Sequence, residues 1–371
     1  MKLDRLTLKN FRCYKEKTFV FHPGINLIVG QNATGKTTIL DAISIAIATW
    51  FLGFRKKLDG RGILPSDATL IHSIQGGEST FFEAWPVEVS ATGMIGDKSI
   101  HWERTKTSEA GNTRYGQAVA LIKEAKYCDE LLDEEINLPL ISYYGTMRLW
   151  QDPRARKVKV NLSKTYRPTR LDGYLHSVDP RISVKEFIQW FAKQEWRSFQ
   201  QGQETVILNI VRKAVLNCID GAIELRYDAG REELLLTTKE HGTQPFHILS
   251  DGQRSILALV ADIAQKAARL NPHLGEDILK KTSGIVLIDE LDLHLHPLWQ
   301  RTIIEKLRET FPLIQFICTT HSPFLIQSLR SGEELIMLEG QPTAELANKT
   351  LEDISVGIMG VESVETSDRY S

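Results

Sequence analysis

Residues 30–37 (GQNATGKT) have the spacing GxxxxGK[ST], which is typical of loops that bind nucleotide phosphates. The glycines let successive backbone N–H groups turn inward around a β-phosphate, and the N-terminus of the following helix adds a positive dipole. We expect Lys36 to bridge the β- and γ-phosphates and the Thr37 hydroxyl to bind Mg²⁺. The apolar run at 25–29 predicts a buried strand before the loop, and a helix is predicted to follow it to about residue 52.

Two later apolar segments end in side chains that could complete a phosphate site. Residues 284–290 (GIVLIDE) predict a strand that ends in two adjacent carboxylates, which are rarely buried unless they face a site. We expect Asp289 to hold the Mg²⁺ shell and Glu290 to polarise the attacking water as general base. Residues 316–323 (FICTTHSP) predict a strand followed by His321, which could contact the γ-phosphate. A loop-capping acid pair and a structural histidine are the alternatives, and the phosphate loop disfavours both.

The segment LSDGQRS at 249–255 precedes a predicted helix over residues 251–270. Ser250 can cap this helix, which is one interpretation. In the other interpretation, the free N–H groups and the positive helix end bind a γ-phosphate. Because Lys36 already covers the near side of a bound nucleotide, that phosphate would belong to a second molecule.

Seven basic residues and no acid occupy residues 153–171. They are Arg154, Arg156, Lys157, Lys159, Lys164, Arg167 and Arg170. Such a run could bind DNA or RNA through counterion release. It could equally be a solvated loop or a surface that docks an acidic partner. The pair His294 and His296 lacks a nearby third ligand, so we do not interpret it as a metal site.

The predicted elements alternate between strands and helices, which favours a mainly parallel sheet with an inserted antiparallel portion. Residues 81–105 predict antiparallel strands, 222–238 a hairpin, and 184–219 a largely helical segment. Residues 55–80 are rich in Gly, Asp and Ser and predict a long loop.

Composition limits the function classes. The 371 residues carry a formal net charge of −2, so any nucleic-acid site would be a local patch. The four cysteines are far apart, as in a reduced cytoplasmic protein, and the N-terminus lacks the apolar core of a signal peptide. The apolar stretch at 39–54 contains Asp41 and is predicted to be a buried helix rather than a membrane span.

Together these segments resemble the ABC-type ATPase heads of the SMC, RecF and OLD group. The resemblance is strongest to the small AAA-family ATPases of bacterial anti-phage systems, such as Septu-type or retron-associated subunits. It covers about residues 1–330. The segments that carry it are residues 6–43, SYYGTMRLW at 142–150, LSDGQRS at 249–255, IDELDLHLHP at 288–297 and TTHSP at 319–323.

The resemblance implies an α/β fold of the ABC/SMC-type P-loop head. It would have a mixed sheet, an antiparallel β portion and a short helical insertion in place of a coiled coil. The expected divisions are an N-terminal lobe at 1–150, a basic loop and helical insertion at 151–220, a C-terminal lobe at 221–340, and a tail at 341–371.

By the same resemblance, ATP and Mg²⁺ are the expected cofactors, and three groups of residues receive roles. The nucleotide would be bound by Gly30, Asn32, Gly35, Lys36, Thr37, Thr38 and Arg12, with Lys36, Glu290 and His321 catalytic and Thr37 and Asp289 at the metal. Ser250, Gly252, Gln253 and Asp292 would act on the nucleotide of a second copy. Gln75 is the candidate for the glutamine that such heads place near the metal, and Arg154, Arg156, Lys157 and Lys159 are candidates for contacting nucleic acid.

The implied function is a Mg-dependent ATPase that forms a homodimer or larger homo-oligomer on ATP and regulates a separate effector. The chain ends about fifty residues after His321, too short for the nuclease domain of OLD-type members. An HNH nuclease is therefore the expected effector, with a retron reverse transcriptase and its nucleic acid as further partners. Two alternatives remain: a RecF- or SMC-like repair ATPase that binds DNA directly, and a nucleotide-gated scaffold with little turnover.

Overall fold

The structure, a computed structural model, describes residues 1–75, 78–147, 169–180 and 184–338, together with Ile354. The strands in these ranges are β1 (Lys2–Phe11), β2 (Tyr14–Val20), β3 (Ile25–Val29), β4 (Leu70–Gln75), β5 (Glu78–Glu83), β6 (Val87–Ile95), β7 (Lys98–Lys106), β8 (Leu140–Tyr144), β9 (Ala222–Asp228), β10 (Glu233–Thr238), β11 (Gly242–Pro245), β12 (Gly284–Ile288), β13 (Ile314–Thr319) and β14 (Leu335–Met337). The helices are α1 (Lys36–Ile47), α2 (Val119–Glu130), α3 (Val184–Gln201), α4 (Val206–Cys218), α5 (Asp251–Leu270), α6 (Ile278–Lys281), α7 (Pro297–Thr310) and α8 (Pro323–Gln327).

A five-stranded parallel sheet, in the order β14-β3-β13-β12-β8, carries the phosphate loop. Every residue of β3, β8, β12 and β13 is buried, as expected for strands covered on both faces. The carboxyl ends of parallel strands meet at one edge of a sheet, where ligands bind in such folds. The loops after β3, β12 and β13 therefore emerge together.

An antiparallel sheet of four strands, β2-β1-β6-β7, packs on the other side of α1. Alternate residues of β6 are buried, which identifies the face that covers α1. Buried Trp102 fixes this contact, because its indole N–H donates to the Ala46 carbonyl at 3.0 Å. The apolar stretch Lys36–Gly53 could cross a membrane by length, but 78% of it is buried inside the protein. It is a core helix, as its sequence predicts.

Helices α3 and α4 are a short pair that follows the basic run, and α5 packs against both of them and against β8. The pair occupies the place predicted for a helical insertion, and α3 has only 18 residues. Strands β9, β10 and β11 form a separate antiparallel sheet beside α3 and α4. The predicted hairpin over 222–238 is confirmed, and the sequence reasoning missed its third strand.

The prediction of a loop over residues 55–80 is wrong at its C-terminal end, where β4 and β5 pair as an antiparallel ribbon. This ribbon is hydrogen-bonded to no other strand of the described chain. Leu70 and Phe81 are 63% and 67% exposed, so the ribbon lacks the alternation of buried and exposed residues that reveals a half-buried strand. The serine-rich and glycine-rich composition then masks the strand propensity of its aromatic residues.

Candidate nucleotide site

The phosphate loop connects β3 to α1 and depends on backbone conformations that few residues adopt. Gly35 has φ 95°, in the left-handed region that favours glycine. A Cβ on Gly35 would lie 2.7 Å from the Cys13 sulfur and 2.7 Å from the Tyr14 hydroxyl oxygen. The second glycine of the pattern is therefore required both for the turn and for the close approach of the β1–β2 turn.

Lys36 and Thr37 begin α1 and point in different directions. The Lys36 ammonium donates to the carbonyl oxygens of Gly30 and Gln31, each at 2.7 Å. It thus lies within the curve of its own loop, where a β-phosphate would be cradled. The Thr37 hydroxyl donates to Asp289 Oδ2 at 2.9 Å. The structure confirms that these two residues, 252 positions apart, are neighbours.

Asp289 and Glu290 follow β12 and are held by the adjacent strand. The Thr319 hydroxyl donates to Asp289 Oδ1 at 2.6 Å and accepts from the Glu290 backbone N–H at 2.7 Å. Glu290 has φ 48°, an uncommon conformation for a residue other than glycine. One hydroxyl therefore fixes both carboxylate-bearing residues relative to β13.

His321 is positioned by Asp292. Asp292 Oδ1 accepts from the Thr320 hydroxyl and from the His321 backbone N–H, the latter at 3.3 Å. The side chain of Asp292, predicted to act on a second copy, thus has hydrogen bonds within its own chain. It ties the loop after β12 to the loop after β13.

A cavity of about 320 Å³ brings most of the predicted residues together. Its walls are Arg12, Cys13, Asn32, Ala33, Gly35, Lys36, Thr37, Thr38, Glu290 and His321. The loop, the candidate base and the candidate sensor therefore face one space. Gly30 belongs to the same site through its carbonyl bond to Lys36.

Arg12 reaches this cavity from the β1–β2 turn and is held by two carboxylates. It contacts Asp41 at 2.6 Å and Asp67 at 2.8 Å. Burial alone would lower the pKa of Arg12, but the carboxylates of Asp41 and Asp67 raise it above its ordinary value. The guanidinium is a fixed positive charge at the rim of the phosphate loop.

The sequence alone did not assign a role to Asp41, Arg61 or Tyr143. Arg61 contacts Asp41 Oδ1 at 2.8 Å, and the Tyr143 hydroxyl donates to the same oxygen at 3.2 Å. Burial, and then the negative charge of Asp41, raise the pKa of Tyr143, which therefore stays protonated. Tyr143, Arg61 and Asp41 line a second cavity of about 680 Å³ that also includes Asp289 and shares Thr37 with the first. In the sequence, Asp41 stands within an otherwise apolar predicted helix, and this was the feature that could have indicated the cluster.

A magnesium ion fits the contact between Thr37 and Asp289. A hydroxyl and a carboxylate converge there, and Mg²⁺ is typically bound by one or two protein oxygens together with substrate phosphates and waters. No cluster of three His, Cys, Asp or Glu side chains able to hold a metal occurs among the residues that the structure describes. The donor set therefore suits an ion that arrives with a nucleotide.

The loop at 249–255 lies outside the cavity walls. Ser250 caps α5: its hydroxyl accepts from the Gln253 N–H at 3.2 Å, and its own N–H donates to Gln253 Oε1 at 3.1 Å. Ser250 is exposed, whereas Gly252 is buried and a Cβ there would lie 2.7 Å from the His294 carbonyl oxygen. The capping interpretation is confirmed, and the exposed Ser250 does not line the cavity of its own phosphate loop.

Other predicted residues take different places. Gln75 ends β4, and its side chain lies outside the described part of the chain. Arg154, Arg156, Lys157 and Lys159 also lie outside it, as does the tail at 341–371 apart from Ile354. Arg170, by contrast, donates to the backbone carbonyls of Leu132, Glu134, Ile136 and Leu270. Its guanidinium group therefore links the segment at 132–136 to the C-terminal end of α5.

Cys13 offers a direct probe of the cavity. We expect ATP to slow its alkylation by N-ethylmaleimide at least about fivefold, because a bound phosphate would cover the exposed thiol beside Gly35. Cys218 and Cys318 are buried, and burial raises the pKa of Cys128 to about 11, so these thiols react slowly. Peptide mass spectrometry would follow the labelling of each cysteine.

The control for this experiment is Lys36→Ala, in which ATP should give no protection. Equal labelling of Cys13 with and without ATP in the native protein would show that the nucleotide does not occupy this cavity.

Two protein-family models match large parts of this chain. Residues 5–213 match the family model described as AAA domain. Residues 120–327 match a second model, described as AAA domain, putative AbiEii toxin, Type IV TA system.

Two relatives extend over most of the chain. The retron Vc95 probable ATPase of Vibrio cholerae is 25% identical over 389 residues, which cover 91% of this chain and 74% of that protein. The Septu protein PtuA of Bacillus thuringiensis is 24% identical over 346 residues, or 92% of this chain and 76% of that protein. An SMC head, solved bound to the C-winged helix domain of ScpA, superposes with a TM-score of 0.52 at 18% identity, covering 91% of this chain and 94% of that chain. The predicted SMC-type head fold is confirmed.

Proposed function

This chain belongs to the AAA-domain family and is an ATPase, and we propose that it closes into a dimer on Mg·ATP and so controls a separate effector in defence against phage. The observation that carries the proposal is the division of the site. One cavity holds Lys36, Glu290 and His321, while the exposed cap of α5 lies apart from it.

Each copy would supply one part of the composite site. The walls of the cavity supply the positive charge of Lys36, and the helix end at Ser250 supplies a positive dipole. A second copy related by a two-fold axis would place each Ser250 loop on the other copy's γ-phosphate. Ile248 and Leu298, 60% and 65% exposed, flank the Ser250 loop and the loop after β12 in sequence. Their burial would favour closure by the hydrophobic effect.

Hydrolysis in this arrangement uses the residues around β12 and β13. Mg²⁺ held at Thr37 and Asp289 would neutralise charge on the phosphates. Glu290 accepts a proton from the attacking water, and Lys36 and His321 stabilise the negative charge on the transferred phosphoryl group. Arg12, fixed by Asp41 and Asp67, adds a positive charge beside the loop.

The partner is proposed from the relatives. Proteins named as retron and Septu components are similar over more than 90% of this chain. We propose a cytoplasmic protein whose ATP-bound dimer holds an effector, such as an HNH nuclease, inactive or releases it. A retron reverse transcriptase with its nucleic acid is a further proposed partner.

The experiment is the mass of the Glu290→Gln protein measured by light scattering with and without Mg·ATP. We expect a 42.0 kDa monomer without nucleotide and about twice that mass with it. The same variant carrying Ser250→Asp should stay monomeric, because Asp keeps the helix cap but repels a γ-phosphate. Ser250→Asn is the matched uncharged control and should still dimerise. An equal mass of the Glu290→Gln protein with and without Mg·ATP would contradict the proposal.

A further inference from the structure

The last turn of α3 exposes two stacked aromatic side chains. Trp196 and Phe199 are 46% and 79% exposed, and their ring centroids lie 5.9 Å apart with planes inclined by 30°. They do not belong to the core, because α3 buries a different set of apolar residues that includes Phe187 and Phe191. Exposing both rings to water is unfavourable unless a ligand covers them.

The charge around this pair is positive. Lys193 precedes Trp196 by one turn, and Arg197 lies one turn after Lys193, so the two cations border the rings. Neither has an ion pair with any residue in the described ranges. The neighbouring acid, Glu195, is neutralised by Arg212 and also accepts from the Tyr227 N–H at 3.2 Å. The surface beside the rings therefore favours an anionic ligand.

The chain directly after the pair is polar. Residues 200–204 (QQGQE) follow directly and are all exposed. A protein interface is built around a contiguous apolar centre, whereas two rings beside cations with a polar border match the sites that stack bases and contact phosphates. The pair also lies on the helical insertion rather than in the nucleotide cavity, so its ligand is distinct from ATP.

We propose that the C-terminal turn of α3 binds single-stranded nucleic acid. Trp196 and Phe199 stack on unpaired bases, and Lys193 and Arg197 contact the flanking phosphates. Duplex DNA does not satisfy this site, because its bases are already stacked on one another. The site goes beyond the proposed ATPase function and does not require it.

The experiment is fluorescence anisotropy of a labelled dT20 oligonucleotide with the full chain. We expect Trp196→Ala/Phe199→Ala to weaken binding by about thirtyfold or more, the loss expected for two base–aromatic stacks. The matched control is Phe81→Ala/Phe82→Ala, which removes two exposed aromatic rings from the β4–β5 ribbon and should bind like the native protein. Lys193→Glu/Arg197→Glu should weaken binding and reduce its dependence on salt.

ATP hydrolysis serves as the test of folding, and its rate should stay native in all three variants. Failure of the ATPase proposal can therefore be distinguished from failure of the strand-binding proposal. Native affinity in Trp196→Ala/Phe199→Ala would overturn the proposal. Absence of dT20 binding by the native protein at low salt, or equal competition by a duplex of the same length, would overturn it as well. If charge reversal at Arg154, Arg156 and Lys157 were the only change that abolished dT20 binding, the strand-binding site would lie in the basic run at 153–171 instead.

Discussion

Replacing Glu290 by Gln is expected to lower the ATP turnover number by about a hundredfold or more while leaving ATP binding intact. Glu290 faces the cavity that holds Lys36 and His321, and its backbone N–H is fixed on Thr319. Glutamine has nearly the same shape but cannot accept the proton of the attacking water. The fold should be unaffected, because the bond to Thr319 uses the main chain.

Phosphate release at saturating Mg·ATP measures the turnover number, and a fluorescent ATP analogue measures binding. The matched control is Glu333→Gln, which removes the charge of an exposed glutamate that does not line the cavity. Native turnover in Glu290→Gln would exclude this residue as the general base and would favour the carboxylates of the neighbouring cavity.

Lys36→Ala and Ser250→Asp are each expected to reduce hydrolysis to the background rate, for different reasons. Without Lys36, the loop loses the ammonium that bridges the β- and γ-phosphates, and nucleotide binding should weaken by at least about a hundredfold. Ser250→Asp should bind ATP normally, because Ser250 does not line the cavity of its own chain. Its added negative charge acts only where a second copy presents a γ-phosphate.

Binding and turnover measured on each variant separate these causes. Ser250→Asn, which keeps the cap without a charge, should retain at least about half of the native turnover. Native turnover in Ser250→Asp would show that the cap of α5 is structural only. Intact ATP binding in Lys36→Ala would place the nucleotide elsewhere.

The residues of the phosphate site were predictable because each belongs to a short local pattern at the end of a buried strand. Lys36, Asp289, Glu290 and His321 follow β3, β12 and β13, and parallel strands place their ends at one edge. The helix capped by Ser250 begins and ends as predicted, since its apolar residues repeat at helical spacing and a capping residue precedes it.

The cluster around Asp41 could not be predicted in the same way. Arg12, Arg61, Asp67 and Tyr143 come from four separate segments, and only the tertiary fold brings them to one carboxylate or its neighbour. The hydrogen bonds of Asp292 are similar, because a loop position alone does not show which loop it will contact.

The aromatic pair on α3 shows another limit of prediction from the sequence. The sequence predicts a largely helical segment over 184–219, and its first helix, α3, buries Phe187 and Phe191. Whether Trp196 and Phe199 are buried depends on where the packing partners of α3 end, which periodicity does not report.

Mixing the Lys36→Ala and Ser250→Asp proteins tests the composite site most directly. A mixed dimer has one site with both defects and one site that joins an intact phosphate loop to an intact Ser250 loop. Because neither variant closes on ATP with its own copies, the mixed dimer is the species that carries an intact site, and one of its two sites is intact. We therefore predict that an equimolar mixture recovers up to about half of the native ATP turnover. A mixture no more active than its two components would contradict a site shared between two copies.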